Sequence, residues 1–137
     1  MFLIESGKIS GHDRGIDAIH IEQTEIKNKI HLFNFKYVET FEKTKSNFPA
    51  NEIDKILGFL NALMSQDKKY LQEISPLLAS KMNSIWEIFN TENPDFVIHI
   101  CSNQYFPFEE QEKRRFEREV HKNSNFEIKY HLMDELV

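Results

Sequence analysis

The spacing of hydrophobic positions changes along the chain, and each change marks an element. Residues 16–22 (IDAIHIE) and 30–38 (IHLFNFKYV) are dense in β-branched and aromatic side chains and are joined by the polar stretch QTEIKNK, the pattern of a β-hairpin. Both strands are nearly continuously apolar, so the hairpin is expected at a central position in a sheet covered by helices. The period then becomes helical. Ile53, Ile56, Leu57, Leu60, Leu63 and Met64 fall on one face of a helix with Asn51 as its N-cap. Leu78, Met82, Ile85, Trp86 and Phe89 do the same in a second helix, with Ser75 as cap and Pro76 at the first helical position.

A turn over residues 91–95 (TENPD) leads into the short apolar strand FVIHICS. A charged helix over residues 108–122 shows an apolar side only at Phe116 and Val120. The segment FEIKYHL then alternates Phe126, Ile128, Tyr130 and Leu132 in the manner of an edge strand. Ahead of all this, residues 6–15 hold three of the four glycines and read as a loop. The order strand, strand, helix, helix, strand, helix, strand predicts a mixed sheet flanked by helices, α/β or α+β in class.

With 137 residues, 40% of them hydrophobic and 28% charged, the chain fits one ordinary globular domain. Its twelve phenylalanines point to a strongly aromatic core. The net charge of −5 argues against nucleic-acid binding by bulk electrostatics, so any such contact is local. A single cysteine, Cys101, lies in an apolar run and reads as a small core residue, which excludes a disulfide framework and fits a reducing cytoplasm. No apolar run approaches the length of a membrane span, and MFLIESGK has neither the basic lead nor the apolar core of a signal peptide. The chain ends on MDELV without a stop signal and has little sequence ahead of the first strand, so it reads as the N-terminal part of something longer.

The chemistry concentrates on the hairpin, which should be wholly apolar yet carries Asp17, Asn34 and Lys36. Alternation puts Asn34 and Lys36 on one face with Phe35 pointing the other way, and Asp17 can meet them from the partner strand. Charges near a core must be paired, hydrated or bound to a cation. One reading is an Asp17–Lys36 salt bridge at the sheet end. The other is a phosphodiester hydrolase. In that reading Asp17, the Asn34 side-chain carbonyl and the Phe35 backbone carbonyl offer hard oxygens to Mg²⁺, while Lys36 holds the attacking water and offsets charge on the phosphate.

Asp followed on the next strand by an acidic or amide residue, any residue and Lys resembles the PD-(D/E)XK nuclease superfamily. HDRGIDAI with LFNFKY is similar to the DxGIDxI … xxQxKY signature of Mrr-like restriction endonucleases and of the abortive infection phage resistance (AIPR) family. The likeness continues weakly through NEIDKILGFLNAL, ISPLLASKMNSIWEIF and DFVIHICSN, in the order of the AIPR N-terminal domain. The resemblance implies a restriction-endonuclease-like fold, Mg²⁺ or Mn²⁺ as cofactor, cleavage of DNA more than RNA, a role in antiphage defence, and Asp17 and Lys36 as metal ligand and catalytic lysine. It also implies a glutamate ahead of the first strand, for which Glu5 is the candidate. Position 34 departs from the pattern. Asparagine stands where the narrower families have glutamine and the superfamily glutamate, so a degenerate module that binds nucleic acid or a protein, including by dimerisation, is the alternative.

Four further features take plainer readings. Asp13 is a turn-former shaping the approach to the site, and His12 beside it is kept as a candidate. The remaining histidines lack metal-ligand spacing and read as core or surface residues. Lys113, Arg114, Arg115 and Arg118 are interleaved with glutamates, which reads as a solvated, salt-bridged helix face. Residues 102–104 (SNQ) follow a sheet strand and read as a turn rather than a ligand crevice.

Overall fold

The computed structural model describes residues 2–3, 15–36, 50–102 and 109–132. Strand β1 is the two-residue pair Phe2–Leu3, followed by β2 (Ala18–Glu22) and β3 (Lys29–Lys36). Helix α1 (Ala50–Ser65), a 3₁₀ helix (Lys68–Glu73) and α2 (Pro76–Thr91) lead to β4 (Asp95–Ser102), and α3 (Glu110–Val120) leads to β5 (Phe126–His131). The predicted order of strands and helices is present, with β1 and the 3₁₀ helix as additions.

One mixed sheet runs in the order β1-β2-β3-β4-β5, so β5 is an edge, as its alternation predicts. The first three strands form an antiparallel meander in which Ile19 faces Leu32 and Ile21 faces Ile30. The next two strands are parallel, because helical crossovers return the chain to the same end of the sheet each time. Register places Lys36 opposite Ser102 and Phe35 opposite Cys101, so the carboxyl ends of β3 and β4 coincide.

Helix starts follow local chemistry. Ser75 caps α2 by accepting the Leu78 N–H at 3.2 Å, with Pro76 at the first position. Glu109 caps α3 by accepting from the N–H groups of Gln111 and Glu112. Asn51, expected as the cap of α1, is instead inside that helix, which begins at Ala50.

All three helices pack on the same face of the sheet. Ile19, Ile30, Leu32, Phe96, Ile98, Ile100 and Phe126 form one core with Ile53, Ile56, Phe59 and Leu63 of α1, Met82 and Ile85 of α2 and Phe116 of α3. Phe96 stacks on Phe126 with centroids 4.6 Å apart and meets Phe89 of α2 at 5.5 Å. The Trp86 indole N–H donates to the Leu63 carbonyl at 2.8 Å, which joins α2 to the end of α1. The Tyr130 hydroxyl donates to Glu117 at 2.6 Å and fastens β5 to α3. Burial and that carboxylate together push the phenol well above its ordinary pKa.

The expected covering by helices is present on this face. Among the described residues no helix lies on the opposite face, which instead carries His20, His31, Phe33, Phe35, His99 and His131 as a comb of rings. Aromatic and imidazole side chains satisfy the same apolar pattern as a helix-covered strand, which is why the sequence could not tell them apart. Among the described residues no helix is long and apolar enough to cross a membrane.

Gly15 sets how closely α1 approaches the hairpin. Its φ is +84°, and a Cβ there would meet the Ile56 backbone nitrogen and Cγ1 at 2.9 Å. Only glycine takes this conformation at this separation without strain. Gly15→Ala is expected to destabilise the fold by about 2 kcal/mol, read as a shift of the urea midpoint; an unchanged midpoint would show that α1 does not press on the turn.

Candidate functional site

The site is assembled where the chain enters β2 and where β3 ends. Asp17 precedes β2 and donates its backbone N–H to the Phe33 carbonyl at 2.8 Å. Its carboxylate accepts the Phe35 N–H at 2.7 Å. In return, Asn34 donates from Nδ2 to the Gly15 carbonyl at 2.6 Å. These three bonds extend the β2–β3 pairing beyond the last regular pair, and they hold two polar side chains in a nearly dry place. Asp17 is 6% exposed and Asn34 1%.

The orientation of the Asn34 amide follows from its partner. A carbonyl oxygen can only accept, so the atom facing Gly15 is the NH₂ group and Oδ1 points elsewhere. That oxygen is buried and has no hydrogen-bond partner among the described residues. An orphaned buried acceptor costs about 1–3 kcal/mol, which makes it the most informative atom in the site.

Lys36 lies two residues on and shares the face of Asn34. Its ion pair is with Glu52, in the first turn of α1, at 3.9 Å, and Glu52 also meets Lys55 at 3.4 Å. The glutamate side chain is 12% exposed while both lysines are more than a third exposed. Such half-exposed pairs add little stability, so their effect is chiefly to place the Lys36 ammonium. Sequence reasoning missed Glu52 because an acidic residue in a first helical turn is ordinary dipole complementation. Its meeting with Lys36 depends on the fold.

Asp17, Asn34 and Lys36 are thus gathered at one end of the hairpin, as the alternation predicts, with the Phe35 backbone joined to them through its N–H. Glu5, His12 and Asp13 lie outside the described residues. The oxygens of Asp17 and Asn34 are the hard donors that Mg²⁺ prefers, and this ion completes its shell with water and substrate phosphate. The donor set fits such a cation in kind. Among the described residues, no group of three or more His, Cys, Asp or Glu side chains converges as a metal site.

No family model matches the chain, and no curated protein or solved structure matches it. Its chemistry is read from its own residues.

The remaining sequence candidates resolve simply. Arg114 pairs with Glu110 at 3.3 Å, Arg115 with Glu112 at 2.7 Å and with Asp54 of α1 at 2.9 Å, and the Lys113 ammonium sits 5.3 Å from the centre of the Tyr130 ring. The cluster is a salt-bridged helix face that docks α3 on α1. Ser102 is fully buried, and residues 103 and 104 of the expected turn lie outside the described residues. His31, His99 and His131, unremarkable in sequence, are joined by hydrogen bonds across three strands.

Cys101 is 8% exposed, and burial, together with the nearby Asp17 carboxylate, pushes its thiol up to about 11. The thiol is therefore protonated at neutral pH, as expected of a core residue. At pH 8 the native protein is expected to react with a disulfide reagent about 100-fold more slowly than the unfolded chain; equal rates in the two states would contradict this placement.

Proposed function

We propose that this chain is a metal-dependent nuclease domain of the PD-(D/E)XK kind that hydrolyses phosphodiester bonds, DNA in preference to RNA. One observation carries the reading: a buried, unpartnered side-chain oxygen on Asn34, on the strand and face of Lys36 and next to the clasp made by Asp17. A fold needs the Asn34 NH₂ group to hold Gly15 but has no use for the orphaned oxygen. A cation site does.

The residues divide the work by chemistry. Asp17 and Asn34 would hold Mg²⁺ or Mn²⁺ through oxygen, with the Phe35 carbonyl as a further donor. A bound divalent cation supplies Lewis-acid polarisation of the phosphate. The Phe35 N–H fixes the Asp17 carboxylate so that no reorganisation is needed on binding. Lys36, half-exposed and steered by Glu52, presents its ammonium to the phosphate and to the attacking water, offsetting the negative charge that develops there. The antiparallel meander followed by a parallel strand supports a restriction-endonuclease-like arrangement, and the site lies at the carboxyl end of β3, where ligands of open sheets bind. The sequence resemblance implies an antiphage role in the manner of AIPR proteins, and the lone Cys101 fits a reducing cytoplasm. Asn34 itself favours the second reading, a non-cleaving module that binds nucleic acid or a protein partner, because a neutral amide attracts a cation less than a carboxylate.

The test is cleavage of supercoiled DNA, single-stranded DNA and RNA with Mg²⁺ or Mn²⁺ by the wild type, Asp17→Ala and Lys36→Ala. Metal-dependent cutting that falls by about 100-fold or more in both variants is expected. Wild-type protein that binds these substrates without cutting them supports the second reading, and cutting unchanged in the variants overturns both residue assignments.

A further inference from the structure

The sheet face opposite the helices holds a second constellation, independent of the nuclease reading. Glu22 Oε1 lies 2.7 Å from His31 Nε2, His31 Nδ1 lies 2.8 Å from His99 Nε2, and His99 Nδ1 lies 2.9 Å from His131 Nε2. One carboxylate and three imidazoles thus form a single file across β2, β3, β4 and β5. The rings lie edge to edge, with centroids 5.1 Å apart at both imidazole–imidazole steps and planes 30° and 16° apart. Phe33 lies against both His31 and His99, and the exposed His20 against His31.

The tautomers follow from the carboxylate end. Ionised Glu22 can only accept, so His31 Nε2 carries a proton, and a neutral His31 then accepts at Nδ1. His99 Nε2–H donates to it, and the same logic makes His131 Nε2–H donate to His99 Nδ1. Each of the three contacts holds one proton. At most one further proton fits on the three rings with these bonds intact, since any contact holding two protons sets N–H against N–H.

We propose that the Glu22–His31–His99–His131 file is an acid-sensitive latch that fastens four strands through neutral imidazoles and opens when a second proton enters it. The charged surroundings agree. By alternation, the same face carries His20 and Glu22 of β2, Lys29 of β3, Asp95 and Cys101 of β4, and Glu127 and Lys129 of β5. Asp95 is taken up by Lys27 at 3.1 Å, and Lys129 lies in register with His99. His99, in the middle and 8% exposed, is held down to about 4, by burial first and also by the Lys129 ammonium. Glu22 is held below the ordinary carboxylate range, chiefly by its bond from His31.

The sign follows from proton counts. Below the ordinary histidine value of about 6.5 the unfolded chain protonates His99, whereas the folded chain keeps it neutral until near 4. The unfolded state binds more protons, so stability falls as the pH drops from about 6.5 towards the folded value of His99 near 4.

Imidazole nitrogen NMR of the full chain, titrated from pH 7.5 to 4.5, tests the latch. His99 is expected to stay neutral while the fold persists, keeping its donor role to His31 and its acceptor role to His131. His99→Gln keeps both bonds, since the amide donates to His31 and accepts from His131, but it removes the central titrating group. Between pH 7 and 5 the wild-type Tm is expected to fall by roughly 5–10 °C more than that of the variant. Three rings that titrate separately near the ordinary value in an intact fold would overturn the latch, whether or not the variant folds. Equal Tm losses in the two proteins would also overturn it. Neither measurement uses a nucleic acid or a metal, so failure of the nuclease reading leaves this test standing.

Discussion

The structure depends on a reciprocal clasp between backbone and buried side chains at the open end of the hairpin. Asp17 takes the Phe35 N–H and gives its own N–H to Phe33, while Asn34 reaches back to the Gly15 carbonyl. The Asp17 carboxylate and the Asn34 NH₂ group are satisfied by backbone partners, and these bonds keep β2 and β3 in register past the regular ladder. The clasp in turn fixes Gly15 against Ile56, which seats the first turns of α1 over the end of β3. Glu52 then reaches Lys36. One set of short bonds therefore positions the hairpin, the first helix and the candidate site together.

The two faces of the sheet solve the problem of burial differently. Towards the helices the strands present Ile, Leu and Phe to an apolar core. On the other side they present rings: Phe33 lies parallel to His99 at 4.4 Å, and the imidazoles meet edge to edge through hydrogen bonds. Apolar contact is nearly indifferent to pH. A file of neutral imidazoles is not, because each ring serves as donor on one side and acceptor on the other. The β3 strand belongs to both solutions, with Ile30, Leu32 and Asn34 facing the helices and His31 and Phe33 facing away.

Local patterns carried most of the fold into the sequence. Runs dense in β-branched and aromatic residues located β2, β3 and β4, alternation located β5, the helical spacing located α1 and α2, and Ser75 with Pro76 fixed the start of α2 to the residue. What stayed hidden depends on register or on pairing at a distance. The two residues of β1 are too few to show a period, and the file of histidines exists only once parallel pairing sets β3, β4 and β5 side by side. In the site, Asp17, Asn34 and Lys36 were legible because polar residues on an otherwise apolar hairpin demand a reason. The partner of Lys36 was not: the spacing offered Asp17, whereas the ion pair in the fold is with Glu52. The roles within the clasp were hidden for the same reason, since only coordinates separate the Asn34 nitrogen that holds Gly15 from the oxygen left over.

The proposed function rests on that leftover oxygen, and it is best examined without any nucleic acid present. Isothermal titration of Mn²⁺ into the wild type and into Asp17→Asn addresses it directly, since the substitution removes the charge while keeping an acceptor for the Phe35 N–H. Saturable binding of one ion by the wild type, weakened at least tenfold in the variant, is the result expected of a cation site built on Asp17 and Asn34. Absence of binding in both, or equal binding in both, would contradict it and leave the clasp as a purely structural device.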